Sequence, residues 1–167
     1  MAIVFGNQDR NASSKGSKNS GPLYGKRVLI ADDSSVQRKK LRELYESLGL
    51  VCIGEASDGL ECLGMAEKTN PDLISIDVLM PVMHGVETLG YLRKAGNQSL
   101  VVFVSALSNI EVLTEVRSMG YAPDAVFSKK DTREAFLEVL TAVFTGEMAE
   151  SSDDGDVISD SKGQKSA

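Results

Sequence analysis

Arg27-Val28-Leu29-Ile30-Ala31-Asp32-Asp33-Ser34-Ser35 is the stretch that decides the fold. Val28 to Ala31 are apolar without alternation, the pattern of a strand buried on both faces, which is typical of parallel sheets. The run ends on two acids, and Ser34 or Ser35 can cap a helix immediately afterwards. Leu41, Leu44, Tyr45 and Leu48 then recur at i, i+3, i+4 and i+7 until Gly49 stops the turn, so a helix follows the strand directly.

The same alternation continues outward along the chain. Strands are predicted at 51–53, at 72–77 after the breaker Pro71, at 100–105 and at 124–129. Helices are predicted over 58–68, 85–95 and 109–119, with a fifth carrying Phe136, Val139, Leu140 and Val143 along one face. Parallel neighbours need crossover connections, so five strand-helix units imply an α/β, doubly wound parallel sheet with helices on both faces. In such sheets ligands gather beyond the carboxyl ends of the strands, and the residues that end each strand are the ones to read for function.

Composition bounds the rest. The 167 residues suffice for one domain with a full core, and 42% hydrophobic with 25% charged residues is a globular balance. A net charge of -6 argues against a dedicated nucleic-acid binder, so protein partners are expected. Met1 to Phe5 is too short for a signal-peptide core and no later run reaches membrane-spanning length, which predicts a cytoplasmic address. Cys52 and Cys62 have no metal-ligand spacing and read as small buried side chains. Polar, low-complexity composition marks 1–25 as a disordered leader and 147–167 as a disordered acidic tail around a domain at 26–146. The tail is too short for an output domain, so any control of transcription or of an enzyme is expected to be indirect.

The predicted strand ends collect Asp32 and Asp33, Asp77, Ser105 and Lys129 on one rim of the sheet. Three carboxylates so crowded raise one another's pKa, and a hard divalent cation relieves them. Magnesium fits, because it takes a few carboxylate or carbonyl oxygens and keeps waters that phosphate oxygens can replace. A screened Asp77 can then attack phosphorus, with Lys129 as the clamp and Ser105 holding a further phosphate oxygen. Lys129 is preferred to Lys130 because it directly follows the largely apolar run Ala125-Val126-Phe127-Ser128.

Four segments in this order carry a resemblance: Val28 to Ser35, Asp77-Val-Leu-Met-Pro81-Val-Met-His-Gly85, Ser105-Ala106 and Ser128-Lys129. Over roughly 26–145 the chain resembles response-regulator receiver domains. The resemblance implies a flavodoxin-like sheet of strand order 2-1-3-4-5. It also implies that Asp77 is phosphorylated by a sensor histidine kinase or histidine phosphotransfer protein, and that Asp33, Asp77 and the Leu79 carbonyl bind magnesium, with Asp32 reaching it through water. The chain would be a signalling phosphoacceptor rather than an enzyme, acting only on its own phosphorylation state. Its output would be a change of partner at the face of the fourth helix, fifth strand and fifth helix.

Two positions depart from the family's pattern. Where it has an aromatic residue three before the lysine and a proline after it, this chain has Val126 and Lys130. A non-proline cis bond costs about 2.5 to 4 kcal/mol, so a trans Lys129-Lys130 bond is predicted. Leu79 and Leu107 offer no side-chain hydrogen bond to a hydrolytic water, which predicts slow self-dephosphorylation. Two rival readings are a haloacid-dehalogenase-type phosphatase, whose Asp-x-Asp signature is broken here by Leu79, and a non-phosphorylated interaction module on the same fold. His84, seven residues beyond Asp77, is assigned no role, and Arg38-Lys39-Lys40 reads as the wet face of the first helix.

Overall fold

The computed structural model describes residues 2–4 and 21–147. Its elements are β1 Ile3–Val4, β2 Arg27–Ala31, α1 Ser35–Ser47, β3 Val51–Ala56, α2 Gly59–Thr69, β4 Leu73–Ile76, α3 Gly85–Lys94, β5 Leu100–Ser105, α4 Asn109–Met119, β6 Ala125–Ser128 and α5 Arg133–Thr145. The sheet order is β1-β6-β5-β4-β2-β3. From β3 to β6 every pairing is parallel, which is the expected doubly wound order. No helix among the described residues is long and apolar enough to cross a membrane.

The apolar strands are covered on both faces because each alternate side chain faces a different layer. Leu29, Ile74, Ile76, Val101, Phe103 and Val126 pack under α2, α3 and α4 through Cys62, Ala66, Val86, Leu89, Val112 and Val116. Val28, Ile30, Leu73, Val102, Val104 and Phe127 pack under α1 and α5 through Leu41, Tyr45, Phe136 and Leu140. Phe127 stacks on Phe136 with centroids 4.0 Å apart. Each such fully buried side chain is worth about 1.5–3 kcal/mol. The helices start where hydroxyl and acidic residues cap them: Ser34, Asp58, Ser108 and Thr132 each accept a backbone N–H of the first turn.

The structure corrects two expectations. The sheet has six strands, not five, because Ile3 and Val4 pair antiparallel with Val126 and Ala125 along the outer edge of β6. The disordered leader expected over 1–25 is therefore ordered at 2–4, and again at 21–25, where Leu23 is only 2% exposed and the Gly25 N–H donates to the Gly49 carbonyl. Averaged composition hid two β-branched residues suited to an open edge and one leucine suited to the core. Residues 5–20 and the tail beyond Glu147 lie outside the described residues. Cys62 is buried as expected and Cys52 is half-buried. No peptide bond among the described residues is cis, so the Lys129-Lys130 bond is trans as predicted.

Candidate functional site

The carboxyl ends of β2, β4, β5 and β6 bring the predicted site residues to one rim. Strand pairing fixes the heights: Ala31 lies beside Ile76, Ile76 beside Phe103, and Ser105 beside Ser128. Asp32, Asp77 and Lys129 each follow the last residue of a strand, and Ser105 ends one. The Asp77 N–H donates to the Ala31 carbonyl at 2.8 Å, which extends the ladder to the acid itself.

Gly85 closes the loop behind Asp77. Its N–H donates to the Val78 carbonyl at 2.9 Å, and a Cβ there would collide with the Asp77 carbonyl oxygen and crowd the Val78 backbone. Glycine is thus required by close approach, since no side chain fits between α3 and the strand end. Gly59 has the same function on α2, where a Cβ would strike Thr88 Oγ1 and the Met83 carbonyl.

The electrostatics are lopsided. Oxygens of Asp32, Asp33 and Asp77 all lie within 4.8 Å of one another. Asp32 and Asp77 are buried, while Asp33 is exposed. Lys129 Nζ lies 2.6 Å from Asp77 Oδ2 and 2.8 Å from Asp32 Oδ2. One ammonium thus serves two buried carboxylates. The contact to Asp32 is an ion pair without hydrogen-bond alignment, so the buried Asp32 Oδ2 accepts no directed hydrogen bond. Its Oδ1 accepts the Ser34 N–H at 2.9 Å.

Burial raises the Asp77 pKa, and this outweighs the hydrogen bond and charge of Lys129, while the charge of Asp32 adds to the rise. Burial pulls Lys129 the other way, but the pull of the adjacent Asp32 and Asp77 carboxylates wins and holds it above the ordinary lysine value. The two partners of one ion pair are both raised because the lysine gains from two acids, while for Asp77 burial exceeds what a shared lysine returns. Three carboxylates against one ammonium leave an excess of two negative charges. Together with the orphaned Asp32 oxygen, this all-oxygen donor set fits a hard divalent cation.

Ser105 is buried on the same rim, but its hydroxyl accepts the Leu107 N–H at 3.1 Å instead of reaching Asp77. The Leu79 N–H donates to Asp77 Oδ1 at a long 3.3 Å, and the Leu79 side chain is 44% exposed. His84 is the residue before α3 and makes no side-chain cap bond. Sequence reasoning missed Arg38. Far from being only a wet side chain, its guanidinium donates to the Asp32 carbonyl at 2.7 Å and to Glu55 at 3.1 Å. The one hint was Glu55 itself, a charge inside an otherwise uncharged strand.

Known proteins resemble this chain in both sequence and fold. The family model described as the response regulator receiver domain matches residues 28–141. Protein CcdB of Bacillus subtilis (strain 168) is 32% identical over 117 residues, 70% of this chain and 96% of that protein. Regulator of RpoS of Escherichia coli (strain K12) is 34% identical over 99 residues, 59% of this chain but only 29% of that protein. Among solved structures, the CheX-CheY-BeF3-Mg+2 complex from Borrelia burgdorferi superposes with a TM-score of 0.64 and 27% identity, covering 72% of this chain and 90% of that chain.

Proposed function

The chain belongs to the response regulator receiver domain family, and from that premise we propose that Asp77 is its phosphoacceptor within a receiver domain at 26–146. The observation that carries the reading is the shared ammonium: a buried aspartate with a raised pKa and a second buried acid, one oxygen of which accepts no directed hydrogen bond, are both paired with a single lysine. Such a site is incomplete without a cation and receptive to a group that brings anionic oxygens for Lys129.

In the reaction, an Asp77 oxygen attacks the phosphorus of a phosphohistidine on a histidine kinase or phosphotransfer protein. The new O–P bond forms as the P–N bond breaks, and the departing imidazole takes up a proton from solvent. Lys129, already within 2.6 Å of Asp77 Oδ2, is placed to pair with the arriving phosphoryl oxygens. Ser105 turns its hydroxyl from the Leu107 N–H to a phosphoryl oxygen, which draws the following loop inward. Asp33, Asp77 and the Leu79 carbonyl would hold Mg2+, with Asp32 behind a water, and the ion would supply charge neutralisation at the phosphoryl group. A solved relative whose complex contains magnesium and beryllofluoride supports a divalent cation as part of the reaction.

Phosphorylation adds charge at one rim and shifts partner binding at the face of α4, β6 and α5. Val126, buried and apolar, has no ring to swing there, so this position offers no aromatic rotamer for the switch. The chain acts as a signalling phosphoacceptor in the cytoplasm. The apolar, exposed Leu79 supports slow loss of the phosphoryl group, and Leu79→Asn should hasten it. The test is incubation with magnesium and acetyl phosphate followed by intact mass measurement. One phosphate-sized gain in the wild type, absent from Asp77→Asn, is the expected result. No gain in the wild type, or an equal gain in the variant, overturns the reading.

A further inference from the structure

Asp32 and Asp33 sit in the short link between β2 and α1, where neither their carbonyls nor their side chains belong to a helix or a strand. Something must fix that link if two carboxylates are to meet Asp77 on one cation. The N–H of Ser34 holds the Asp32 side chain. The backbone is held by Arg38, whose side chain turns back from the first turn of α1 toward the link, as helical side chains do. Its Nη1 donates to the Asp32 carbonyl at 2.7 Å and, at a longer 3.4 Å, to that of Asp33.

Arg38 is itself clamped. Its Nε donates to Glu55 Oε2 at 3.1 Å, and Glu55 Oε1 accepts from Arg42 Nε at 2.8 Å, so both carboxylate oxygens of Glu55 are used. Glu55 stands on β3, paired with Ile30 of β2, the strand that delivers the acids. Arg38 is 18% exposed and Glu55 25%, so the assembly is sheltered though not sealed. A guanidinium can do this because its planar fork serves a carboxylate and two carbonyls at once; an ammonium has no such fixed geometry.

The geometry points to Arg38 as a positioning residue for the acidic pair, locked by Glu55, so that the Arg38–Glu55 latch sets the affinity of the site for a divalent cation. This rests on the metal-binding reading above. Two effects of Arg38 oppose each other. Its positive charge repels a cation through space, and its hydrogen bonds pre-arrange the ligands. Glu55, shared with Arg42, offsets part of that field, and the hydrogen bonds of Arg38 go to the carbonyls of the link and leave the carboxylate oxygens free for the cation, so the positioning effect wins. The sign of the mutational effect then separates the two: loss of Arg38 weakens cation binding if it positions, and strengthens it if its charge dominates.

The probe is Mn2+, followed by the electron paramagnetic resonance signal of the unbound ion, with no phosphodonor present. Wild type, Asp33→Asn, Arg38→Gln, Arg38→Lys and the double variant Arg38→Gln/Glu55→Gln are compared, each first checked for a cooperative urea transition. Wild type should bind and Asp33→Asn should bind far more weakly. Arg38→Gln should lose about tenfold in affinity, the scale of a residue that orients metal ligands. Arg38→Lys, which keeps the charge and guards against a folding failure, should recover only part of that loss. The double variant should match Arg38→Gln, because Glu55 acts through the arginine. Unchanged or tighter binding in Arg38→Gln, or full recovery in Arg38→Lys, overturns this inference alone. A wild type that binds no Mn2+ overturns the metal site itself and the latch with it.

Discussion

The two ends of this sheet each bury an aspartate against a cation, and they do so to opposite effect. At the amino end, Asp124 is 6% exposed, and its Oδ2 accepts from the Val101 N–H at 2.7 Å and from Arg93 Nη2 at 3.2 Å. Arg93 also donates to the carbonyls of Asn97 and Ser99, and the Ser99 hydroxyl donates to that of Pro71. One acid meets one cation, and the fork of the arginine reaches the neighbouring carbonyls as well. At the carboxyl end, one lysine is divided between Asp32 and Asp77, and an oxygen of Asp32 lacks a directed partner. The first arrangement is a lock and the second a socket. What separates them is the ratio of cations to carboxylates and how fully each oxygen is bonded.

The largest test of that contrast is Asp124→Ala. It leaves the Arg93 charge and the Val101 N–H without their carboxylate, and should cost about 3–5 kcal/mol in urea denaturation. Phosphate uptake per folded molecule should be unchanged. A loss below about 1 kcal/mol would mean that the amino end is no lock.

Asp77→Asn should have the opposite sign. Removing one of two acids that share a lysine spares the burial of a charge and relieves repulsion from Asp32, which together outweigh the lost pairing with Lys129, and we expect the cation-free protein to gain about 1 kcal/mol, the usual scale of a single substitution. The pH dependence supplies the cause. Burial holds the folded Asp77 pKa above its unfolded value of 3.8, so the folded state binds the proton more tightly. Its contribution to stability is full below the unfolded value and is lost as pH rises through the raised folded value. Cation-free wild type should therefore gain on Asp77→Asn as pH falls from neutral through that window, measured by urea midpoints at matched ionic strength. A constant difference would sink the account.

How much of this contrast could be read before folding differs between the ends. The bounds of β5 and α4 were legible to the residue, since an apolar run and a capped amphipathic stretch each carry their own stop signals. The acids of the socket were legible too, because each ends a strand that announces itself. The lock was not: Arg93 and Asp124 lie 31 residues apart, and nothing local says that they meet. Arg38 looked solvated because its value lies in the direction its side chain turns, which only the packed link and Glu55 define. Ile3 and Val4 form too short a run to show any period. Ser105 was placed on the right rim, but its bond to the Leu107 N–H depends on loop geometry.

The smallest test concerns strain, which the two ends also distribute unequally. Among the described residues only Asn70 and Val82 are non-glycine with positive φ, at 44° and 67°. Asn70 caps α2 at the lock end, where asparagine is tolerated because its polar side chain suits the left-handed region. Val82 lies in the loop after Asp77, and a β-branched residue there is strained by about 1–2 kcal/mol. Its side chain is 78% exposed, so packing returns little. Glycine at this position loses about 0.5–1 kcal/mol of that relief through its freer unfolded chain. Val82→Gly should thus stabilise by about 0.5 kcal/mol, whereas Asn70→Gly should change stability by no more than a few tenths. Equal shifts in the two urea midpoints would show that the socket end stores no more strain than the lock end, because the backbone at Val82 would then be as relaxed as an ordinary helix cap.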